Sequence, residues 1–413
     1  MYFLYNFAIT IAWYILKIPA LFNKKIALFI SGRKTVFPYL EEHISKKDLI
    51  IWMHTASLGE YEQGLPLLQK LKKTYPEYSF LVTFFSPSGY EVKKNSKEAD
   101  FITYLPFDTV KNVDRFLETV TPKMAIFVKY EIWPNYFRKL QRLNIPILLV
   151  SGIFNEKQVY FKSHGGFMRD ALRRVSHFFV QNDTSAELLR SIKIETISIT
   201  GDTRFDRVNE ILERDNSLSF MTQFKGEHRC IVAGSTWPED EKLLLSTIQN
   251  ASDSVKFVIA PHDIKEEHIQ NLLDTSSKKT ILYSKMNQQD LSDCQVLIID
   301  TIGLLTKIYS YADIAYVGGG FATGLHNTLE PAVFGVPVII GPQYNGFKEA
   351  EDMVAAGGIK IVTTKEELVQ LIDTLLADFK FRTEVGLINS TYIEHNTGAS
   401  DKIVEYINGH SLL

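Results

Sequence analysis

Three strings in the N-terminal half place charged side chains directly after short apolar runs. Glu60 ends the string HTASLGE, Glu131 lies in KYEIWP, and Arg204 lies in GDTRFD. A helix that begins in such a loop has free N–H groups in its first turn. A carboxylate there suits general acid–base chemistry, and an arginine suits anion binding. The sequence therefore predicts reactive groups in three loops that follow strands.

Each of these three residues also has a simpler structural explanation. An acidic residue in the first turn of a helix, such as Glu60, stabilises the helix dipole, and on position alone this explanation is as good as a general base. Glu131 would instead form a local ion pair with the lysine two residues before it, and such pairs contribute little energy. Arg204 would pair with Asp202 or Asp206 and bind no anion. The residues alone leave these alternatives open.

In the C-terminal half, the string GGGFATG at 318–324 leads from an apolar run towards a helix start. Such a loop offers bare N–H groups and the positive end of a helix dipole to an anion, although its spacing matches neither a dinucleotide fingerprint nor a P-loop. Glu330, just inside the helix, is expected to accept hydrogen bonds from ribose hydroxyls. Asn327 has a structural alternative as the cap of that helix.

The strings GSTWP and APHD end two further apolar runs of this half. His262 stands beside Asp263, but no second histidine lies at metal-ligand spacing, so metal catalysis is not expected. A serine triad is not expected either, because no G-x-S-x-G elbow is present. Cys230 and Cys294 are far apart and form no CxxC pair, which argues against a disulfide framework and a cysteine-built zinc site.

The elements that must position these residues alternate between short apolar strands and longer helices. The pattern runs from about residue 49 to residue 180 and starts again at residue 230. Strict alternation is typical of α/β folds with a parallel sheet covered by helices on both faces. With 413 residues and a polar linker at 210–228, the chain is predicted to form two doubly wound Rossmann-like domains, 35–210 and 229–413. The carboxyl ends of their strands are expected to face a cleft between them.

The first residues, 1–25, are predicted to form a membrane-anchoring segment. MYFLYNFAITIAWYIL contains no charged side chain, and five basic residues follow it: Lys17, Lys24, Lys25, Arg33 and Lys34. This asymmetry disfavours a secretory signal and keeps the following chain in the cytoplasm by the positive-inside tendency. Tryptophan and tyrosines favour a membrane interface over the alternative of a buried first helix. The length leaves open whether the segment spans the bilayer or lies on it.

The composition is that of a packed globular protein, with 45% hydrophobic and 23% charged residues. These proportions exclude a disordered chain, a collagen-like rod and a polytopic membrane protein. The net charge of −3 provides no basic field for a nucleic acid. The remaining class is a globular protein of the size of an enzyme, with an unusually apolar N-terminal segment.

Five strings together resemble those of the Kdo (3-deoxy-D-manno-octulosonic acid) transferases of lipopolysaccharide assembly. They are WMHTASLGEYEQGLPLL, KYEIWPNYF, TGDTRFD, VAGSTWPEDE and GGGFATGLHNTLEPAVFGVPVIIGP, which spread in family order over residues 52–342. The resemblance implies the two-domain GT-B glycosyltransferase fold, CMP-Kdo as the donor and a lipid A precursor, lipid IVA, as the acceptor. It also implies a location at the cytoplasmic face of the cell inner membrane and no cofactor besides the donor substrate.

The resemblance further implies roles for residues in both domains. Glu60 resembles the family's catalytic base, and Glu131 resembles its acidic residue that assists the transition state. Arg204 stands where the family more often has lysine. Pro261 and His262 match a nucleotide-contacting proline-arginine pair, with histidine in place of arginine. The remaining matches to nucleotide-binding segments are Ile302, Gly303, Leu304, Asn327, Thr328, Leu329 and Glu330.

The reaction that this resemblance implies is an inverting glycosyl transfer that requires no metal. Glu60 would remove the proton of the acceptor hydroxyl as its oxygen attacks, while cationic groups and N–H dipoles stabilise the leaving phosphate. One alternative is another GT-B enzyme, such as a sugar-nucleotide epimerase, which would need no membrane segment. The other is a non-catalytic membrane-bound protein that binds a nucleotide sugar, against which the presence of Glu60, Glu131 and 327–330 argues.

Overall fold

A computed structural model describes residues 1–286, 291–322 and 324–413. The chain divides into two compact units, the first formed by Met1–Arg207 with Thr397–Leu413 and the second by Val208–Asn396. The predicted domains, 35–210 and 229–413, therefore differ from the units at both ends. The first unit takes in the N-terminal helices and the last 17 residues, and the predicted linker at 210–228 contains a helix, Ser219–Lys225.

The first unit is built on a parallel sheet. Within the described residues its strands are β1 (Ile50–Thr55), β2 (Ser79–Phe84), β3 (Phe101–Tyr104), β4 (Met124–Val128), β5 (Ile147–Gly152), β6 (His177–Val180) and β7 (Ile197–Ile199). Their order across the sheet is β3-β2-β1-β4-β5-β6-β7. Strands β1 and β4 are almost entirely buried, as expected for continuous apolar runs covered on both faces. The strand order reverses between β1 and β4, which makes this the switch point of a doubly wound sheet.

Helices precede and connect the strands of the first unit, and the last one follows β7 and continues into the second unit. They are α1 (Tyr2–Ile15), α2 (Lys24–Gly32), α3 (Val36–His43), α4 (Leu58–Thr74), α5 (Pro87–Lys93), α6 (Val110–Val120), α7 (Pro134–Arg142), α8 (Gly166–Leu172), α9 (Asp183–Ser191) and α10 (Thr203–Asn209). The spacing of Leu65, Leu68 and Leu71 predicts an apolar face on α4, and all three are buried in the core against the sheet. Each face of the sheet carries its own apolar core.

The second unit repeats this architecture. The strands in its described part are β8 (Arg229–Thr236), β9 (Val255–Pro261), β10 (Thr280–Leu282), β11 (Val296–Ile298), β12 (Ile314–Val317), β13 (Val338–Ile340) and β14 (Ile359–Ile361). They are parallel, in the order β10-β11-β9-β8-β12-β13-β14, and the order reverses between β8 and β12. Two doubly wound α/β units confirm the predicted fold class, that of the GT-B glycosyltransferases.

The helices of the second unit lie between its strands and after them. They are α11 (Ser219–Lys225), α12 (Pro238–Asn250), α13 (Glu266–Thr275), α14 (Leu305–Ile308), α15 (Leu329–Ala332), α16 (Lys348–Ala356), α17 (Lys365–Ala377) and α18 (Phe379–Asn396). Thr364 and Glu367 form a reciprocal capping box at the start of α17. The α15 segment is only one turn long.

The last helix, α19 (Ala399–Gly409), packs in the first unit rather than in the second. Its Ile403 and Ile407 are fully buried in the core beside α4. The carboxylate of Asp206 accepts hydrogen bonds from the backbone N–H groups of Gly398, at 2.6 Å, and Ser400, at 2.7 Å. The sequence placed this helix in the second domain because its periodicity shows one apolar face but not the sheet that covers it.

One described segment, Tyr2–Leu21, is long and apolar enough to cross a membrane, with a mean hydropathy of 1.4. One side of its helix α1 is held by polar contacts: the Tyr5 hydroxyl donates to Asp108 at 2.6 Å, and Asn135 Nδ2 donates to Asn6 Oδ1 at 2.7 Å. The other side exposes large apolar side chains: Phe3, Leu4, Phe7, Ile11, Tyr14 and Ile15. The helix therefore lies on the surface of the first unit and is not the buried core helix of the alternative prediction.

Candidate active site

Glu60 lies where β1 runs into α4, at the switch point of the first sheet. Ser57, the N-cap residue of α4, is in the extended conformation and its hydroxyl donates to Glu60 Oε2 at 2.6 Å. Glu60 itself is half-buried in the first turn of the helix. This position is compatible with both explanations of Glu60. In the first turn its carboxylate stabilises the helix dipole, and at the strand end it is also placed to act as a general base.

Glu131 follows β4, the strand next to β1 across the switch point. Its Oε2 lies 3.5 Å from His54 Nε2, and its side chain is 16% exposed, whereas that of His54 is fully buried. The residue next to the Glu131 carboxylate is thus His54 on the neighbouring strand, and not Lys129. Lys129 has a φ of 63°, a left-handed conformation that is strained for a non-glycine residue. Strain of this kind is typical of loops that hold a functional side chain in one position.

His54 is fixed on its other side by Thr83. Its Nδ1 lies 3.1 Å from the carbonyl oxygen of Thr83 and 2.9 Å from its hydroxyl, which also accepts from Trp52 Nε1 at 2.8 Å. A carbonyl oxygen can only accept, so Nδ1 carries a proton and Nε2 faces the Glu131 carboxylate. His54 is thus anchored to the neighbouring strand β2, and its Nε2 is left beside the Glu131 carboxylate without a hydrogen bond.

Several buried polar atoms around this strand edge have no hydrogen-bond partner within the described chain. They include His54 Nε2, Thr55 Oγ1 and Trp133 Nε1. Native proteins pair most buried polar groups, and exceptions cluster where a ligand or solvent completes the bonding. The edge formed by the ends of β1 and β4 is therefore equipped to receive a polar group beside two carboxylates.

Arg204 pairs with Asp202, one of the two aspartates that the sequence indicated as possible partners. Its Nε donates to Asp202 Oδ2 at 2.8 Å and its backbone N–H donates to Oδ1 at 2.9 Å. The same Oδ1 accepts from Gln63 Nε2 at 2.6 Å. The Arg204 side chain is still 42% exposed. Its charge is partly neutralised, and a role in anion binding or catalysis stays a prediction.

The glycine-rich loop after β12 is not the bare cradle for an anion that the sequence predicted. The N–H of Gly319 donates to Asp240 Oδ2 at 2.9 Å and that of Gly318 donates to the Gly234 carbonyl at 3.0 Å. A Cβ on Gly318 would lie 2.4 Å from the carbonyl oxygen of Ser235. These glycines are required because two backbones approach closely across the switch point. Thr323 of this loop lies outside the described residues.

Asp240, on the first turn of α12, holds that loop in place. Besides Gly319 it accepts from the Trp237 backbone N–H at 2.9 Å and from the Tyr316 hydroxyl at 2.7 Å. Its side chain is fully buried. Asp240 is therefore the anion that the glycine-rich loop binds, and it joins the ends of β8 and β12.

Three aromatic rings form a platform at the ends of β8 and β9. Trp237 Nε1 donates to His326 Nε2 at 2.9 Å, and the two ring planes differ by only 9°. His262 stacks on both, with centroid distances of 4.7 Å to Trp237 and 4.6 Å to His326. Burial, followed by the nearby His262, lowers the pKa of His326, which keeps that ring neutral. The predicted residue His262 is thus part of this platform, and its exposed ring lies against the other two rings.

Among the other predicted nucleotide-binding residues of the second unit, Asn327 and Glu330 are in contact. Asn327 Nδ2 donates to Glu330 Oε1 at 3.0 Å, and Thr306 Oγ1 donates to Oε2 at 2.8 Å. Asn327 Oδ1 also accepts from the Leu329 N–H, at 3.1 Å, so its side chain bonds to the start of α15, although the N-cap residue is Thr328 and not the predicted Asn327.

The remaining residues of this predicted set differ in exposure. Ile302 is 85% exposed, and the adjoining Gly303 has a φ of 96° in a turn two residues before α14. Thr328 and Leu329 are buried, as is Pro261, the last residue of β9. The turn at 302–304 therefore offers an accessible surface, whereas the buried side chains support the loops around it.

Sequence reasoning missed four residues that complete these arrangements: Gln63, Thr306, His326 and Asp240. All four have partners from distant parts of the chain, and no local spacing marks those contacts. Asp240 had a signal, because an acidic residue three positions after an N-cap indicates a capping interaction. Within the described chain, no group of three metal-ligating side chains is present.

Comparison with known proteins gives a coherent result. Residues 31–207 match the family model of the 3-deoxy-D-manno-octulosonic-acid transferases (kdotransferases). The 3-deoxy-D-manno-octulosonic acid transferase of Haemophilus influenzae is 26% identical over 373 residues, 86% of each chain. The enzyme of the same name from Aquifex aeolicus is 28% identical over 388 residues, 91% of this chain and 98% of the relative.

A solved structure extends the likeness in fold. UDP-GlcNAc 2-epimerase from Neisseria meningitidis, bound to UDP-GlcNAc, matches 87% of this chain and all of its own with a TM-score of 0.63. The sequence identity is 17%, so this likeness concerns the fold alone.

Proposed function

We propose that this chain, which belongs to the Kdo transferase family of glycosyltransferases, transfers Kdo from CMP-Kdo to the lipid A precursor lipid IVA in lipopolysaccharide biosynthesis. The observation that carries the proposal is the placement of Glu60 and Glu131 at one switch point, within the segment that matches the family model. Two carboxylates beside unpartnered buried polar atoms suit the activation of an acceptor hydroxyl.

The proposed reaction is a single displacement with inversion at the anomeric carbon of Kdo. The acceptor hydroxyl oxygen attacks that carbon, the bond between the carbon and the phosphate oxygen of CMP breaks, and CMP leaves with the bonding electrons. Glu60 takes the proton of the attacking hydroxyl. Atoms and charge balance without an external reagent, and protein donors alone can meet the charge that grows on the leaving phosphate, so the proposal has no metal step.

Glu131 supports the same transition state from the neighbouring strand. A carboxylate beside a buried imidazole stabilises positive charge as it develops on the sugar ring. The strained backbone at Lys129 supports this role, because it holds the loop that carries the carboxylate in one position before the substrate arrives. Arg204, tied to Asp202, completes the proposed set.

The second unit is proposed to bind the nucleotide part of CMP-Kdo. His262 lies on the ring platform at the ends of β8 and β9, next to Pro261. The exposed turn at 302–304 and Glu330 of the segment 327–330 are the other proposed contacts, and the oxygens of Glu330 suit the ribose hydroxyls. Parallel α/β sheets generally bind nucleotides beyond the carboxyl ends of their strands, which supports this assignment.

The acceptor is proposed to reach the enzyme from the cytoplasmic face of the cell inner membrane. The exposed apolar side of α1 and the exposed Lys17, Lys24 and Lys25 suit an anionic lipid surface. Arg33 does not belong to this basic cluster, because it is buried and stacks on Phe29 at 3.7 Å.

The test uses the full chain in detergent with CMP-Kdo and a tetra-acylated lipid A precursor, followed by mass spectrometry. We expect a product heavier by one or more Kdo units and release of CMP. Glu60→Gln is expected to lower the turnover rate about 10²–10⁴-fold, since it removes the base. Glu77→Gln, at an exposed glutamate beyond the C-terminal end of α4, is the matched control. Near-wild-type turnover by Glu60→Gln would overturn the base assignment.

The likeness to an epimerase fold suggests one further control. Incubation with UDP-GlcNAc alone is expected to leave that sugar nucleotide unchanged, because the sequence relatives are named as transferases. Conversion of UDP-GlcNAc without an acceptor would instead favour the epimerase alternative.

A further inference from the structure

An apolar pocket of about 460 Å³ opens in the first unit beside the N-terminal helices. Its apolar walls come from the end of α1, from α2, and from the loops that follow β2 and β3: Leu16, Ile26, Phe29, Phe85, Pro87 and Phe107. The volume lies in the range of small-molecule sites. The mechanism described above makes no use of this space.

A buried arginine, Arg33, holds two walls of the pocket in place. Arg33 Nη1 donates to the Phe29 carbonyl at 2.9 Å and Nη2 donates to the Phe85 carbonyl at 2.8 Å. Its guanidinium also stacks on both rings, 3.7 Å from the centroid of Phe29 and 4.8 Å from that of Phe85. Arg33 thus ties α2 to the loop after β2, so the two walls are held together without a ligand.

The same loop reaches the candidate active site. The N–H of Phe85 donates to the Thr55 carbonyl at 3.3 Å and that of Ser86 donates to the Ala56 carbonyl at 2.7 Å. The Phe85 ring also lies 4.9 Å from that of Trp133, two residues beyond Glu131. One wall of the pocket therefore continues into both loops that carry the carboxylates.

The pocket also continues towards the surface expected to meet lipid. Leu16 follows directly after α1, whose outer side exposes Phe7, Tyr14 and Ile15. Lys25 is the charged lining residue and is exposed, as is Lys24 before it. An apolar interior, a cationic rim and a neighbouring apolar helix match a hydrocarbon chain that carries an anionic head group.

We propose that this pocket binds one acyl chain of the glycolipid acceptor and thereby places its sugar head group at Glu60 and Glu131. The inference rests on the proposed function and specifies how the acceptor is recognised. An acyl chain held there anchors the acceptor beside the catalytic loops, so part of its binding energy serves to orient the reacting hydroxyl. A water-soluble acceptor without acyl chains gains nothing from the pocket.

The test compares two acceptors: the tetra-acylated lipid A precursor and the same disaccharide after complete deacylation. Ile26→Trp fills the pocket from α2. It is expected to raise the KM for the acylated acceptor about tenfold and to leave the KM for the deacylated one unchanged. Leu143→Trp, at an exposed leucine away from the pocket, is the matched control and is expected to change neither. Equal losses on both acceptors, or no change on either, would overturn the inference.

A direct measurement covers the case in which Ile26→Trp fails to fold. A lipid A precursor with a photoreactive diazirine at the end of an acyl chain is cross-linked to the wild-type chain, and the labelled peptides are identified. Labels at 16–29 or 85–107 are expected, whereas labels confined to the outer side of α1, or a second copy of the chain found in the pocket, would overturn the inference. Failure of the wild type on both acceptors would instead contradict the proposed function.

Discussion

At the edge of the first sheet, buried polar atoms of His54, Thr55 and Trp133 lack hydrogen-bond partners, whereas at the edge of the second sheet the comparable groups bond to one another. Asp240 there accepts three hydrogen bonds, and Trp237 donates to His326. The described exception is the hydroxyl of Thr328. The two sheets are both parallel and doubly wound, yet they end in different kinds of surface.

This difference matches two functions, reaction chemistry at the first edge and ligand recognition at the second. Unpaired polar groups and a strained Lys129 are costly in a folded chain and suit groups that change their bonding during a reaction. A satisfied network is rigid and suits the recognition of a ligand in one orientation. The comparison predicts that substitutions at the first edge act mainly on the turnover rate and those at the second act on stability or on donor affinity.

The largest effect is expected at the first edge. Glu131→Gln removes the carboxylate that faces His54 and is expected to lower the turnover rate about 10²–10³-fold, while the KM for CMP-Kdo changes less than threefold. Steady-state kinetics with both substrates varied measure this. Glu118→Gln, at an exposed position on α6, is the control. A variant that loses donor affinity instead would contradict the division between the edges.

The second edge is expected to respond in stability. Asp240→Ala leaves the N–H groups of Trp237 and Gly319 and the Tyr316 hydroxyl without their buried acceptor. Loss of a buried charged partner of this kind costs about 3 kcal/mol. Urea unfolding followed by tryptophan fluorescence measures the shift.

Glu239→Gln, at the exposed neighbour of Asp240 on the same helix, is the matched control for this measurement. Its unfolding midpoint is expected to stay with that of the wild type. If Asp240→Ala unfolds at the wild-type midpoint too, Asp240 does not hold the glycine-rich loop.

A smaller effect is expected from the ring platform. His326→Phe keeps an aromatic ring but removes the acceptor for Trp237 Nε1, so the platform loses its alignment. We expect the KM for CMP-Kdo to rise about tenfold, equivalent to about 1.4 kcal/mol, with the turnover rate within a factor of two. His228→Phe, at an exposed histidine, is the control. A fall in turnover with unchanged KM would assign the platform to chemistry instead of binding.

Short apolar runs in the sequence predict the inner strands of both sheets but not β3, β7, β10 and β14. The predicted strands are 49–54, 79–84, 124–128, 145–150 and 177–180 in the first sheet, and 230–233, 257–260, 296–299, 314–317 and 337–340 in the second. The four missed strands lie at sheet edges. They have only three or four residues each, and an edge strand needs less apolar surface than a central one, so its pattern is weak. The fold class survives these omissions because the central strands and their helices determine it.

The candidate site was predictable as a set of loops but not as a set of contacts. Each chosen string follows a strand, and topology then brings the strings to common edges. Which groups meet there depends on residues far apart in the chain: His54 lies beside Glu131, Asp240 bonds to Gly319, and Thr306 bonds to Glu330. Periodicity carries no information on such pairs, which is also why α19 was assigned to the wrong unit.

The smallest expected effect concerns how the two units respond to acid. His177 on β6 is largely buried, its Nε2 lies 2.8 Å from Ser198 Oγ, and its ring stacks on Tyr406 of α19 at 4.0 Å. Burial, and then the nearby His410, lowers its pKa from 6.5 to about 4. The unfolded chain therefore binds a proton that the folded chain does not between these values, and the stability of the first unit falls as the pH drops from about 6.5 to about 4.

His177→Phe removes this linkage while it keeps an aromatic ring against Tyr406. The midpoint of urea unfolding, measured at pH 7 and at pH 5, is expected to differ less in His177→Phe than in the wild type. His164→Phe, at an exposed histidine of the same unit, should retain the wild-type difference. An unchanged difference in His177→Phe would show that the acid sensitivity of the first unit arises elsewhere, and the platform histidines of the second unit would then be the next groups to replace.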